Sequence, residues 1–273
     1  MPIAQINGTE IFYLEGGTGL PCLVMHGGLG ADHTGQHPFL DPLGETLRLI
    51  YYDHRGNGRS GRPPRATITY EQLAADADAL RTHLGVERVA VMGFSAGAAI
   101  GLHYALGYPR QISHLILVGG HAAWDYGDEI KAAFERRGAT PEMLAVLSDP
   151  PPADDAEMGR VVRLLLPLYL HHFDAALAER YLGRAIWSAS ANARYGELLR
   201  GYNVVPRLGE IDTPTLIVVG RDDVITPPTQ AERLHRGIRG ATLAVLERSG
   251  HLPHLDEPEA FFRLVRAWLA RAQ

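Results

Sequence analysis

The sequence predicts an α/β fold: a mostly parallel central sheet with helices on both faces, interrupted by a helical insertion. Three observations predict it. Short apolar runs of strand length alternate with segments of helical period over residues 3–118, and the alternation returns over 215–271. Between residues 121 and 206 it stops, and only helix-compatible segments follow one another. Finally, the apolar run 89–92 turns through Gly93-Phe94-Ser95-Ala96-Gly97 into an Ala/Leu-rich helical segment. That is the strand–turn–helix setting in which Gly-x-Ser-x-Gly acts as a nucleophile elbow.

Each element has its own signal. Residues 3–14 alternate around Asn7-Gly8, a hairpin turn dipeptide, and read as two antiparallel strands. Residues 20–25 form a short apolar strand running into His26-Gly27-Gly28-Leu29-Gly30, after which a helix is left open. Residues 47–52 form the next strand, ending in Asp53-His54-Arg55-Gly56-Asn57-Gly58-Arg59-Ser60. Over 69–84, Leu73, Ala77, Leu80 and Leu84 recur at helical spacing, with Thr69 as N-cap and Gly85 closing the end. The elbow strand and its helix follow, then a strand over 114–118. The insertion holds helical segments over 128–137, 156–170, 174–187 and 192–202, with an exposed loop at Pro150-Pro151-Pro152. Strands over 215–219 and 242–246, each followed by a helix (229–236 and 258–271), complete the pattern. The domain reading is a core in two parts, 1–120 and 207–273, around a helical cap at 121–206.

Composition excludes several classes. With 273 residues the chain can bury one large core. The net charge is −5 and the basic residues are scattered, which gives no nucleic-acid footprint. The single Cys22 cannot form an internal disulfide and reads as a buried thiol. The longest apolar stretch, 161–170, is broken by Arg163 and Pro167 and is too short to span a bilayer. The first residues have neither the basic nor the apolar region of a signal peptide, so a soluble, cytoplasmic protein without membrane contact is expected.

Open α/β sheets place their chemistry outside the carboxyl ends of the strands. Four motifs fall there. Ser95 is the first, with Gly93 and Gly97 relieving a crowded turn. Gly220-Arg221-Asp222-Asp223 follows the strand over 215–219 and offers a carboxylate to orient a histidine. Ser249-Gly250-His251-Leu252-Pro253-His254 follows the strand over 242–246 and holds a histidine in a loop, free to lean over a neighbouring strand end. In the fourth, the glycines after His26 let backbone amides approach an oxyanion, with Gly28 and Ala96 as the expected donor pair and His26 as a brace. Gly56-Asn-Gly-Arg-Ser-Gly61 matches a dinucleotide fingerprint literally, but no helix opens after it and Pro63-Pro64 follow, so it reads as a structural turn. His33 and His37, and His171 and His172, lack the spacing of a known metal-site class and read as surface or cap residues; no metal or cofactor is expected.

Together these residues resemble the α/β-hydrolase superfamily over roughly 1–120 and 207–273. The matching elements are His26-Gly27-Gly28, Asp53-x-Arg55-Gly56-x-Gly58-x-Ser60, Gly93-x-Ser95-x-Gly97, Gly220-x-x-Asp223, and Gly250-His251 before Glu257-Pro258. The chain order Ser95, Asp223, His251 is the order of that family's triad. The resemblance implies that Asp223 rather than Asp222 is the acid and that His251 rather than His254 is the base. It also implies that 121–206 is a substrate-selecting cap. Ser95 stands where a haloalkane dehalogenase would carry Asp. The glycine-loop and Asp-x-Arg-Gly elements are similar to those of proline iminopeptidases, but those carry Trp after the nucleophile, and here it is Ala96. The expectation is therefore a carboxylesterase or lactonase acting on a small-molecule ester or lactone, acyl-homoserine lactones among them. Trp124, Leu165, Tyr169, Phe173 and Trp187 are expected to line an apolar acyl pocket. Two other readings stay open: an aminopeptidase, using cap carboxylates such as Asp125, Asp128, Glu129 or Glu197, and a ligand receptor on the same fold. Oligomeric state is open, a homodimer being one option.

Overall fold

The computed structural model describes residues 2–272; Met1 and Gln273, the outer ends of the two core segments drawn from the sequence, lie outside it. Eight strands form one sheet: β1 (Ile3–Ile6), β2 (Thr9–Gly16), β3 (Leu20–Met25), β4 (Leu47–Tyr52), β5 (Val89–Phe94), β6 (Ile112–Val118), β7 (Thr215–Gly220) and β8 (Thr242–Leu246). Their order across the sheet is β1-β2-β4-β3-β5-β6-β7-β8. β2 runs antiparallel to both of its neighbours, and β4 through β8 pair parallel across the sheet. Asn7 and Gly8 take φ of 46° and 75°, the paired positive angles of the tight hairpin that the Asn-Gly dipeptide favours.

Helices cover both faces because side chains alternate along each strand. Leu23, Val91, Leu117 and Ile217 point to one face, where α1 (Tyr70–His83), α2 (Ala96–Gly107) and, further along, α8 (Pro228–Gly237) pack. Val24, Met92, Ile116 and Val218 point to the other, against α10 (Pro258–Leu269) through Phe261 and Val265. Cys22 is fully buried there. Thr69 caps α1 by accepting from the Gln72 amide at 3.1 Å, and Leu73, Ala77 and Leu80 form its buried stripe. α2 is apolar nearly all round, as a helix wedged between sheet and neighbouring helix must be.

Between β6 and β7 lie α3 (Gly127–Arg136), α4 (Pro141–Ala145), α5 (Asp155–Tyr169), α6 (Ala175–Leu182) and α7 (Ala189–Leu199). The sequence reading lacks α4, a single turn capped by Thr140, and extends α6 to residue 187. The helix stops at Leu182 because Gly183 turns the chain, its amide closing on the Glu179 carbonyl at 2.8 Å. The stretch left open after the glycine loop contains two short 3-10 turns, His33–Gly35 and Asp41–Leu43. A further short helix, α9 (Pro253–Asp256), precedes α10. Among the described residues, no helix is long and apolar enough to cross a membrane.

Candidate active site

The carboxyl ends of β3, β5, β6 and β7 open on a cavity of about 200 Å³ roofed by helices of the 121–206 segment. Ser95 occupies the turn from β5 into α2 with φ 51° and ψ −114°, a backbone conformation that costs a non-glycine residue of the order of 1–3 kcal/mol. The elbow tolerates it because its flanks are glycines: a Cβ at Gly93 would collide with the Gly97 carbonyl, and one at Gly97 with the carbonyl oxygens of Met25 and His26. Ser95 lines the cavity beside Gly27, Gly28 and His251. Ala96 is the first residue of α2, so its amide belongs to the four N–H groups without an intrahelical partner.

His251 and Asp223 meet across the ends of β7 and β8. The His251 Nδ1 lies 2.8 Å from Asp223 Oδ2 and 3.0 Å from Oδ1. A carboxylate can only accept, so Nδ1 carries the proton and Nε2 is left with a free lone pair. Asp223 is fixed in turn by the Ile225 and Thr226 amides, each 2.9 Å from Oδ1, and by the Thr226 hydroxyl, 2.9 Å from Oδ2. The His251 amide donates to the Tyr169 carbonyl at 2.6 Å, tying the loop to the end of α5. Gly119 (φ +55°) leaves the ring its space: a Cβ there would stand 3.1 Å from His251 Cε1 and Nδ1. Asp222 points elsewhere, 2.6 Å from the exposed-side ring of His171. His254 is buried and its Nε2 donates to the Gly35 carbonyl at 3.1 Å; burial pushes its imidazole down to about 4.

The glycine loop is braced from below. His26 Nδ1 donates to the Gly27 carbonyl at 3.0 Å, which leaves Nε2 to accept the His54 amide at 3.2 Å. Burial lowers both imidazoles, so the two rings, with centroids 4.1 Å apart and planes tilted by 43°, pack as neutral groups. The Gly56–Gly61 stretch is a closed turn, with the Gly56 amide on the Gly61 carbonyl and Asn57 Oδ1 accepting the Gly30 amide at 2.6 Å. It therefore steadies the glycine loop, and no helix opens at its end.

Trp124, Tyr169 and Trp187 line the cavity; Leu165 and Phe173 do not. Leu165 sits on the flank of α5 that α3 covers, packed with Ile130 and Phe134. Phe173 lies beyond the end of α5, where the His171 amide is held by Asp256, and its side chain is turned outward and 45% exposed. The sequence reading missed Met158 and Val162, which share the cavity face of α5, and Tyr195 on α7. It also missed Thr226, whose position three residues after Asp223 is the one local signal for a carboxylate-bracing turn.

His33, read from the sequence as a surface or cap residue, is buried instead. Its Nδ1 donates to Asp53 Oδ1 at 2.7 Å, and its amide reaches the same oxygen at 2.9 Å. Asp32, His33 and Asp53 bring donor atoms within 4.8 Å of one another, the spacing a metal ion could use. The Arg59 guanidinium already reaches Asp32 at 2.8 Å and Asp53 at 3.8 Å, supplying the positive charge from the chain itself. Burial pushes the Asp53 carboxyl up, but the hydrogen bonds it accepts from the His33 ring and the Arg59 amide hold it below the ordinary carboxylate range.

A family model described as alpha/beta hydrolase fold matches residues 21–258, and the chain belongs to that family. A proline iminopeptidase, PfmaB, of Pestalotiopsis fici is 30% identical over 278 residues, covering 98% of each chain. A putative carbamate hydrolase, RutD, of Rhizobium rhizogenes is 31% identical over 252 residues, covering 90% of this chain and 92% of its own. An esterase from Exiguobacterium antarcticum superposes with a TM-score of 0.81 at 25% identity, covering 98% of both chains. An enol-lactonase from Burkholderia xenovorans LB400 shares the fold, with a TM-score of 0.77 at 24% identity, covering 98% of this chain and 100% of that one. The chain is a hydrolase of the α/β-hydrolase fold.

Proposed function

We propose that the chain is a serine hydrolase of carboxylic esters or lactones, acyl-homoserine lactones among them, working through an acyl-enzyme on Ser95. One observation carries the reading: Ser95 on its strained elbow and His251, with its Nδ1 proton held by Asp223, face the same apolar cavity. In this mechanism the Ser95 Oγ attacks the substrate carbonyl as its proton passes to His251 Nε2. Asp223 keeps the ring in the right tautomer and stabilises the imidazolium. The Gly28 and Ala96 amides take the charge that develops on the carbonyl oxygen. His251 then protonates the leaving alkoxide, and takes a proton from the water that releases the acyl group. No cofactor enters. The 121–206 helices act as the cap, with Trp124, Tyr169 and Trp187 around the acyl chain.

The similarity to a proline iminopeptidase favours a second reading, cleavage of amides with a free N-terminus. A free amine needs a carboxylate beside it, and the acids available sit elsewhere. Asp125 pairs with Arg233, Glu129 accepts from Thr229, Glu197 is held by Arg65 and Arg194, and Asp128 is exposed. This favours the ester or lactone reading. The test is hydrolysis of p-nitrophenyl esters from acetate to decanoate, run beside an acyl-homoserine lactone and a prolyl amide. Ester or lactone turnover lost in Ser95→Ala is the expected result; prolyl-amide turnover alone would overturn it in favour of the peptidase.

A further inference from the structure

Three helices of the 121–206 segment each set one tyrosine in the cavity wall, and none of the three hydroxyls has a task in that mechanism. Tyr169 ends α5, Tyr181 lies in α6 and Tyr195 in α7, and all three line the cavity with Ser95. They face inward. The Tyr169 ring meets the His251 ring edge-on with centroids 5.4 Å apart, a Cβ at Gly35 would stand 3.1 Å from the Tyr181 hydroxyl, and Tyr195 packs against the core cluster of α1 and α2. Among the described residues none of these hydroxyls has a hydrogen-bond partner. Those of Tyr52, Tyr70 and Tyr126 also lack one but are sealed inside the protein, whereas the three in the cavity wall keep accessible surface. An enclosed tyrosine hydroxyl ordinarily finds a partner, so three free ones over one cavity point to a ligand that supplies it.

The chemistry of that ligand follows from the donors. Burial pushes the Tyr169 phenol up to about 12 and raises those of Tyr181 and Tyr195, with the neighbouring Tyr169 adding to both. Each therefore keeps its proton at neutral pH and can donate it to a hydrogen bond. Of the other polar groups at the wall, Thr226 holds Asp223, the Asn192 amide donates to the Leu29 carbonyl at 3.3 Å, and Gln36 Oε1 and both ring nitrogens of His121 are sealed. Among the described residues no Asp, Glu, Lys or Arg lines the cavity. A carboxylate on the substrate would lose its water with no cation to meet it. A neutral carbonyl oxygen, which only accepts, matches the phenols without that cost. In the proposed mechanism the reacting carbonyl turns its oxygen to the Gly28 and Ala96 amides, so the roof donors are left for a second one.

We infer that the Tyr169, Tyr181 and Tyr195 hydroxyls form a donor subsite in the cavity roof, which binds an uncharged carbonyl of the substrate other than the one Ser95 attacks. This rests on the ester or lactone reading of the same cavity and adds a substrate class to it: acyl compounds bearing a second, neutral carbonyl, in preference to plain alkanoates and to half-esters with a free carboxylate. The tyrosines make hydrogen bonds only; no proton leaves them and no covalent bond forms in the roof. They determine specificity and stand apart from the groups that break the ester bond.

The test separates the inference from the reading beneath it by measuring binding as well as turnover. Methyl hexanoate, methyl 3-oxohexanoate, methyl 4-oxohexanoate, methyl 5-oxohexanoate and monomethyl adipate are titrated calorimetrically into Ser95→Ala protein. The same esters are then offered to the protein with Ser95 intact. At least one oxo ester should bind more tightly than methyl hexanoate and more tightly than monomethyl adipate. Tyr169→Phe, Tyr181→Phe and Tyr195→Phe, made in the Ser95→Ala background, each remove the oxygen and keep the ring. At least one of them should cut the ratio of oxo-ester to hexanoate affinity about three- to tenfold, and the triple variant should bring that ratio close to one. A hydroxyl that only packed the roof would change both affinities together and leave the ratio where it was. The inference is overturned by no preference for any oxo ester, by no binding of any ester, by tightest binding of monomethyl adipate, or by a preference that survives in the triple variant. Should the triple variant not fold, the single variants decide: a ratio lowered in any of them supports the inference, and a ratio unchanged in all three overturns it. Preferential binding without turnover of any ester would remove the hydrolase reading and leave the subsite standing. Turnover without preference would do the reverse.

Discussion

Two buried His–Asp pairs stand at the carboxyl end of this sheet, alike in their bonding and different in what surrounds them. Asp223 follows β7 and holds His251 at 2.8 Å; Asp53 follows β4 and holds His33 at 2.7 Å. Both carboxylates are inaccessible, both rings use Nδ1 as the donor, and both aspartates accept two backbone amides. The His251 ring, however, faces the cavity that Ser95 enters, whereas His33 packs against Phe12 and its aspartate is covered by the Arg59 side chain. The pair is the same device in both places. An open space with Ser95 on one side suits His251–Asp223 to the proton transfer proposed for it, and a cationic cover suits His33–Asp53 to holding the glycine loop and the Arg59 turn together.

The comparison breaks most visibly under matched substitutions. Asp223→Asn leaves the His251 ring able to adopt the wrong tautomer, and turnover of p-nitrophenyl butyrate should fall about 10⁴-fold with the melting temperature little changed. Asp53→Asn removes the charge that Arg59 and His33 are arranged around. It should lower stability by roughly 1–3 kcal/mol, as loss of a buried hydrogen-bond partner does, while the folded fraction keeps turnover within a few-fold. Calorimetry beside kcat/KM on both variants decides. Equal losses of activity in the two would mean that the pairs are not functionally distinct.

Crowding the His251 ring gives a smaller effect. Gly119→Ala must place a Cβ 3.1 Å from the ring in a backbone conformation with positive φ, so the ring has to shift. Turnover should drop about 10–100-fold with KM nearly constant; Gly85→Ala, at φ +66° with nothing nearby, controls for backbone strain alone.

Acid should act on the wall and braces around the pairs. Burial holds His121 and His254 down to about 4 from an ordinary 6.5, and lowers His26 and His54 as well. The unfolded chain thus takes up protons from near pH 6.5 downward while the folded chain refuses them, so stability falls as pH drops from about 6.5 towards 4. The loss for each of His121 and His254 is on the order of 3 kcal/mol across that window. Urea midpoints between pH 7.5 and 4.5 measure it; a midpoint that stays level would contradict the neutral burial of these rings. The last contrast lies between the two flanks of α5. Leu165→Ala should cost about 2–4 kcal/mol of stability with the ester chain-length optimum unchanged, whereas Met158→Ala should move the optimum to longer acyl chains. Chain-length profiles of the two variants compare the flanks directly.

Much of this arrangement is legible in the sequence because it rests on local backbone demands. Gly93 and Gly97 around Ser95, Asn7-Gly8 in the hairpin and Thr69 before α1 each answer a steric or hydrogen-bonding need within a few residues. That Ser95 and His251 line one cavity, with Asp223 behind the ring, is legible because each stands at a strand's carboxyl end and the parallel sheet gathers those ends. What escaped depends on partners far along the chain. His33 looks like a surface residue until Asp53, 20 positions later, is seen to hold it. Leu165 and Val162 are equally apolar on α5, and only the placement of α3 turns one into the insertion's packing and leaves the other to the cavity. His121 carries no motif; its burial among the rings of Trp124, Tyr126 and Tyr202 is a purely tertiary fact.

The most direct test of the central claim, that Ser95 is the nucleophile activated by His251 and Asp223, is covalent labelling by a fluorophosphonate read by intact mass spectrometry. The account predicts one adduct per chain, located on Ser95 by peptide mapping. It should be absent in Ser95→Ala, strongly slowed in Asp223→Asn, and formed at the unaltered rate in the folded fraction of Asp53→Asn. An adduct on another residue, or equal labelling of the Asp223→Asn and unaltered proteins, would contradict it.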